Sequence, residues 1–377
     1  MEKQIPSQNM NDLKGLLALS FMEDIGPVTI GRLLSAFHTP EAVFSAGFSE
    51  LSSVGEISAL KAKKIKEFNA WDRIDREIEK ARDHNIRIVT LFDKEYPGPL
   101  SQLESAPPIL YVKGDLTEED RFALAMVGSR RMSEYGRKIA AGLSFELALA
   151  GLTIVSGMAR GIDTVSHSGA LKAGGRSIAV LGCGLDICYP AENKELMTAL
   201  SGSGCVISEF PLGTPPVREN FPRRNRLISG LSLGVLVVEA AARSGSLITA
   251  GFALEQGREI FAVPGNITSS NARGTNGLIK KGAKPVQSVG DIIEELSPQI
   301  KGLLRLKACD FSTAPAQRLE INDEEKAICN ILGSDSKHID HIVRELKMPA
   351  ARLSGLLLGL EMKGIVRQTA GNNFSIL

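Results

Sequence analysis

The sequence predicts an α/β fold: a Rossmann-like, doubly wound, mostly parallel sheet, with an N-terminal helical module of SAM or helix-hairpin-helix type and a C-terminal winged helix. Three observations carry that prediction. Between Phe122 and Leu296 short apolar runs alternate with helical segments, and the runs are apolar throughout, as strands covered on both faces require. From Leu13 to Phe68 the apolar spacing is helical, interrupted by turns containing Gly26 and Gly55. Near the C-terminus three helical stretches precede two short extended runs, the order of a winged helix-turn-helix.

In the head, residues 1–85, helices follow the two glycine turns at Ile30–Phe37 and Ser58–Phe68. Such a turn leaves backbone N–H groups at the next helix start, where a DNA phosphate can bind. Asp24 and Ser53 stand where the first glycine of that motif belongs, so a plain bundle turn serves equally well. The body, residues 86–300, opens with the extended runs Ile88–Phe92 and Ile109–Val112, joined irregularly through Tyr96-Pro97 and Pro107-Pro108. Its parallel strands are expected at Ala123–Val127, Thr153–Ser156, Ser177–Leu181, Val206–Glu209, Val235–Glu239 and Glu259–Val263. Its helices are expected at Ser133–Leu149, Thr164–Ala173, Glu192–Ala199, Arg226–Leu231, Ile248–Gln256 and Asp291–Leu296. An aperiodic linker, 301–320, leads to the tail, 321–377, with helices at Glu324–Leu332, Ile339–Leu346 and Ala350–Met362 and a hairpin of Ile365–Gln368 with Phe374–Leu377. The third tail helix carries Leu353, Leu356, Leu357, Leu358 and Leu360 but only Arg352 as an internal cation, which favours protein contact or weak DNA binding over duplex reading.

Of 377 residues, 44 are Lys or Arg and 43 are Asp or Glu, a net charge of +1, so a polyanion site must come from local clustering. The longest apolar stretch, Leu233–Ala242, is interrupted by Glu239 and falls far short of the roughly 18 residues of a membrane span. No basic-then-apolar leader follows Met1, and the expected location is the cytoplasm. The five cysteines form no Cys-x-x-Cys and join no histidines at zinc spacing, and His338 and His341 lack a third ligand. Reduced thiols and no metal are the expectation. No cofactor is expected either. Gly182-Cys183-Gly184 continues into Leu185-Asp186-Ile187 where a dinucleotide fingerprint needs its third glycine, and no Walker sequence occurs.

A parallel sheet binds ligands beyond the carboxyl ends of its strands. Glycine and polar residues gather there: Gly128-Ser129-Arg130-Arg131, Ser156-Gly157-Met158-Ala159-Arg160-Gly161-Ile162-Asp163, Gly182-Cys183-Gly184-Leu185-Asp186 and Arg243-Ser244-Gly245-Ser246. Glycine admits close backbone approach, and the helix starts that follow attract anions, so several phosphates fit side by side. The most cationic segment, 218–226, sets four arginines against Glu219 and includes Phe221. Guanidiniums fork onto phosphate and an aromatic face stacks an unpaired base, a combination suited to single-stranded nucleic acid. In a competing reading, Glu239 or Asp163 serves a nucleotide hydrolase acting on a nucleoside monophosphate, although Asp163 also suits a helix cap and Glu239 a partner for a loop arginine. A third reading is a scaffold that meets its partner through the winged tail.

These loop motifs, together with Tyr189-Pro190, Ser208-Glu209-Phe210-Pro211, Phe221–Ser232 and Glu239-Ala240, occur in an order that resembles the DNA-processing protein A (DprA/Smf) family, from about Tyr96 to Ile279. The head and tail are similar to those of its longer members. The resemblance implies a non-enzymatic, cytoplasmic single-stranded DNA-binding protein that dimerises through its Rossmann-like body. It further implies a role in DNA uptake and recombination, protecting the strand and loading the RecA recombinase during natural transformation. Carried over by position, it implies DNA contacts from Gly128, Ser129 and Arg130, from Ser156, Gly157, Arg160 and Gly161, from Arg218, Phe221, Arg224 and Asn225, and from Ser244, Gly245 and Ser246. Arg218 stands where lysine is frequent, which keeps the charge but changes the hydrogen-bond geometry.

Overall fold

The computed structural model describes residues 7–310 and, in the tail, 323–332, 337–346, 348–349, 352–353, 356–357, 360, 366–369 and 373–376. It divides into two compact units, Met1–Lys307 and Ala308–Leu377. In the first, six helices form the head: α1 (Ser7–Ser20), α2 (Pro27–Phe37), α3 (Pro40–Ser45), α4 (Phe48–Ser53), α5 (Ala59–Lys66) and α6 (Trp71–Asp83). Pro27 and Pro40 open α2 and α3, where a missing N–H removes no helical bond. Thr39 and Ser58 cap α3 and α5 by accepting from the Ala42 and Lys61 N–H groups. Asp24, standing in for the missing glycine, takes φ of +69°, a conformation that aspartate tolerates, and its carboxylate accepts from Lys64 Nζ at 2.6 Å.

The body is a nine-stranded sheet of β1 (Arg87–Thr90), β2 (Ile109–Gly114), β3 (Ala123–Val127), β4 (Thr153–Ser156), β5 (Ser177–Leu181), β6 (Gly204–Ser208), β7 (Gly234–Val237), β8 (Glu259–Ala262) and β9 (Lys284–Pro285). Its order is β1-β2-β6-β5-β4-β3-β7-β8-β9. From β6 to β9 every pair is parallel, while β2 joins β6 and β1 joins β2 antiparallel. The six expected parallel strands are all present, and the two extended runs ahead of them extend the same sheet. The chain winds outward from β3 in both directions, which puts the switch point, and so the ligand crevice, at the carboxyl end of β3.

Successive residues of each strand feed opposite layers. Ala125, Val155, Val180 and Val235 pack under α11 (Asn220–Gly230) and α12 (Ser246–Glu255) with Leu227, Ile228, Ala250 and Ala253. Leu124, Met126, Ile154 and Leu236 pack with Leu143 and Leu147 of α8 (Glu134–Leu149) and with Ile162 and Ala170 of α9 (Ile162–Lys172). The short α7 (Gly98–Ser101) links β1 to β2, and α10 (Lys194–Ser203) and α13 (Arg273–Lys280) complete the crossovers. The head, expected as a module of its own, shares one core with the sheet: Leu16, Leu17, Ile30 and Leu33 join Ile109, Tyr111, Ala179 and Leu181.

Two expectations at the C-terminal side change. The helix expected at 291–296 is α14 (Val289–Asp310), so the first ten residues of the expected linker are helical. Ile292, Leu296 and Ile300 repeat every four residues against the body core, which carries the helix past Pro298. Residues 311–320 lie outside the described residues. The tail holds α15 (Asp323–Leu332) and α16 (Ile339–Leu346), with helical residues at 352–353, 356–357 and 360, and a sheet in the order β10 (Lys337–His338), β12 (Asn373–Ile376), β11 (Val366–Thr369). Leu353, Leu357 and Leu360 are buried with Ile328, Leu332, Ile342, Val366 and Phe374. Their spacing of four and three is a core-facing stripe, so these leucines build the tail's own core and argue for no partner. Leu358 lies outside the described residues.

Candidate nucleic-acid interface

At the carboxyl edge of the sheet, Arg130, Gly157, Gly182, Tyr189, Phe221 and Arg224 line a narrow cleft. Phe221, expected on a loop, lies in the first turn of α11, which starts at Asn220 rather than Arg226. Pro222 fits there because first-turn N–H groups have no helical partner. The Phe221 ring lies down on Gly182, where a Cβ would come within 3.1 Å of Cδ1. The exposed Arg130 guanidinium sits over that ring, 5.3 Å from its centroid, a cation–π contact. The Tyr189 ring lies 5.7 Å from it at 37°.

Arg224 departs from the expected exposed strip. It is 4% exposed and donates from Nη1 to the Gly157 carbonyl at 2.6 Å and to the Val180 carbonyl, closing the ends of β4 and β5 from below. A Cβ on Gly157 would lie 2.7 Å from the guanidinium carbon, so the glycine is what admits Arg224. Burial pulls the guanidinium down to about 10, opposed by Asp163. The Asp163 carboxylate accepts from the Ala159 N–H at 3.3 Å, and burial raises its pKa against the attraction of Arg224. One residue along the helix, Arg223 points the other way, over the Phe210 ring, and Arg226 pairs with Glu209 and donates to the Ser105 carbonyl. The cationic segment therefore divides between structural roles and a cleft-facing part.

The other expected contacts are committed in different ways. Gly128, Ser129 and Gly161 interlock: Ile162 N–H donates to the Ser129 carbonyl at 3.2 Å, and Gly161, at φ +82°, has no room for a Cβ, which would lie 2.3 Å from that oxygen. Ser156 is buried and donates to the Met126 carbonyl at 2.5 Å, so it ties β4 to β3 instead of offering its hydroxyl to a ligand. Arg160 is exposed but held in a two-pronged ion pair, Nε–Oε1 2.5 Å and Nη2–Oε2 2.7 Å, by Glu192. Asn225 takes Arg224 Nε at 3.2 Å and reaches the Gly245 carbonyl at 3.5 Å, bringing the Ser244–Ser246 loop beside α11. There the Ser244 and Ser246 hydroxyls share a 2.7 Å hydrogen bond. Arg218 is exposed just ahead of α11.

The proposed acid/base residues are otherwise engaged. Glu239 accepts from the Ser133 N–H at 2.9 Å and from its hydroxyl, fixing the start of α8; it does not neutralise a loop arginine as expected. Asp163 faces Arg224 inside the protein. His167, which has no evident partner in the sequence, is buried with Nδ1 2.7 Å from Ser177 Oγ. That hydroxyl donates to the Ile154 carbonyl, so Nδ1 carries the proton, and burial beside Arg224 pushes the imidazole down to about 3. Two residues were given no site role from sequence: Tyr189, which lines the cleft and appeared only within the Tyr189-Pro190 motif, and Glu192, the partner of Arg160. Their signal was position, soon after the third glycine loop.

Fold and site together define a Rossmann-like body whose carboxyl edge presents backbone, guanidinium and aromatic surface in one place. The chain belongs to the DNA-processing protein A family: residues 87–297 match the family described as DNA recombination-mediator protein A, and residues 312–372 match the DprA winged helix domain. It is 41% identical to Protein Smf of Escherichia coli over 76% of each chain, and 32% identical to Protein Smf of Synechocystis over 95% of this chain and 97% of that one. The crystal structure of DNA processing protein A from Streptococcus pneumoniae matches with a TM-score of 0.62 at 35% identity, covering 75% of this chain and 94% of that one. DNA processing protein A from Helicobacter pylori, described for its single-stranded DNA binding mode, matches with a TM-score of 0.51 at 30% identity, covering 56% and 97%.

Proposed function

We propose that this chain binds single-stranded DNA without chemistry at the carboxyl edge of its sheet. The observation that carries the reading is the Arg130 guanidinium over the Phe221 ring at the mouth of a cleft walled by glycine backbone. Arg130 and the exposed Arg218 supply phosphate contacts, helped by the Ser129 and Ser244–Ser246 loops, and Phe221 supplies a base platform. Arg224 acts from below, holding Gly157 in place. The single-stranded DNA binding described for the H. pylori relative supports the substrate, and family membership supports a role in DNA uptake and recombination. Protection of the strand, loading of RecA and a cytoplasmic location belong to the same reading. So does a homodimer formed through the Rossmann-like body, which places two clefts on one strand and raises avidity through effective concentration.

The test is fluorescence anisotropy of a labelled single strand and its duplex over a salt series. Arg130→Ala is expected to weaken single-strand binding roughly 10- to 150-fold, the ~1.5–3 kcal/mol of a hydrogen bond to a charged group. Its salt slope should drop by about 0.7, one phosphate on a single strand. Equal binding by both proteins removes Arg130 from the site. Light scattering reads the dimer, and RecA filament growth on strands coated with single-strand-binding protein reads the loading step.

A further inference from the structure

Phosphate contacts position a nucleic acid but do not report whether its bases are paired, because duplex and single strand carry the same phosphates. Discrimination needs a feature that only an unpaired base can meet. The cleft contains one beyond Phe221. Tyr189 is 42% exposed, its ring 5.7 Å from Phe221 and inclined to it by 37°, so the two rings are not stacked on one another and the Tyr189 ring is the one open to solvent. Between them the wall is backbone at Gly182, and the guanidinium of Arg130 covers the outer side of Phe221. A base that lies against the exposed Tyr189 ring must offer an uncovered face, and in a duplex both faces of each base are already covered by its neighbours.

We propose that Tyr189, with Phe221, is the residue that selects unpaired nucleobases, leaving Arg130 as a contact indifferent to pairing. The proposal rests on the single-strand reading above and adds Tyr189 to Phe221 as the source of strand discrimination at that site. Tyr189 lies five residues beyond Gly184 and precedes Pro190, which is buried, so the ring is carried by a fixed segment at the rim. The Tyr189 ring accepts a base by its face, a contact that the phenol hydroxyl does not enter.

The experiment compares wild type, Tyr189→Ala, Tyr189→Phe and Arg130→Ala by anisotropy at one salt concentration. The three ligands are an oligothymidylate, an abasic strand of the same length, and a duplex of that length. Tyr189→Ala is expected to lose roughly 5- to 150-fold on the oligothymidylate, the range for one stacked base, and to change little on the abasic strand or duplex. Tyr189→Phe should bind as wild type, and Arg130→Ala should weaken on all three ligands. An equal loss for Tyr189→Ala on the oligothymidylate and the abasic strand, or no loss on either, overturns the assignment. Thermal melting of each variant separates a binding defect from a folding one: if Tyr189→Ala melts early, the comparison between ligands for the soluble protein still decides, since misfolding lowers all three alike. Absence of binding by the wild type itself instead removes the single-strand reading.

Discussion

Arg160 and Glu192 show how one carboxylate can set what a basic residue offers. Both are exposed, and the pair is two-pronged, so Glu192 occupies the same donors a phosphate would take. Arg160 in turn holds the Glu192 carboxyl below its ordinary range. An exposed pair contributes little to folding, so its consequence lies in binding. Glu192→Gln is expected to leave thermal stability unchanged and tighten single-strand binding by roughly two- to tenfold at low salt, with a slope steeper by about 0.7. The gain should vanish in the Arg160→Ala background, where there is no guanidinium to release. Unchanged affinity and slope for Glu192→Gln would mean that Arg160 meets no phosphate. At this scale the sequence identified which residues stand at the edge but not their commitments. Arg223 and Arg224 read as a doublet, yet on a helix they point about 100° apart, one over Phe210 and one into the core.

The element that organises the cleft is α11. Phe221 reaches the cleft from its first turn and Arg224, three residues on, braces Gly157 and Val180 from beneath, so both lie on one helix face. Arg224→Ala removes that brace and leaves the buried Asp163 without its counter-charge. A loss of about 3–5 kcal/mol in urea unfolding is expected, the cost of breaking a buried pair from one side. The pH dependence fixes the cause. Burial raises the Asp163 pKa, so the folded state holds a proton that the unfolded chain releases; that contribution is present below the unfolded value and lost as pH rises through the folded one. Without Arg224 the pKa rises further, and the deficit of the variant should be larger at about pH 8 than at about pH 5. His167 acts in the same direction: depressed to about 3, it makes the wild type lose stability as pH falls below about 6.5, partly because of the Arg224 charge. A deficit independent of pH would assign the effect to packing alone, and Asp163→Asn in the same background should restore part of the loss. The strands were legible because a parallel sheet buried on both faces leaves unbroken apolar runs, and the glycine loops because close packing at Gly157 and Gly161 leaves no room for a Cβ and Gly182 little. The start of α11 was not legible: Pro222 reads as a loop residue unless the helix is known to begin just before it. The full length of α14 was hidden in the same way by Pro298.

For the whole molecule, a net charge of +1 leaves binding to local clusters, so it matters which unit carries them. Among the described residues of the tail, Arg352 donates to Glu324 at 2.8 Å, Lys337 lies 3.9 Å from Glu345 and His341 Nδ1 lies 3.3 Å from the same carboxylate, while Arg344 is exposed. The described leucines of the tail pack in or against its own core. The first unit, by contrast, encloses the head, the sheet and the complete cleft within Met1–Lys307. A chain ending at residue 310 is therefore expected to fold with the melting transition of the first unit intact and to bind a short single strand within about twofold of the full chain, with the same salt slope. Calorimetry and anisotropy on the two proteins check this. A drop of tenfold or more in affinity, with a shallower slope and an unchanged melting transition, would place phosphate contacts in the tail and make the winged helix part of the DNA site. Retained affinity together with lost RecA loading would give the tail a partner instead, the one outcome in which its exposed surface, rather than its leucine core, carries the interaction.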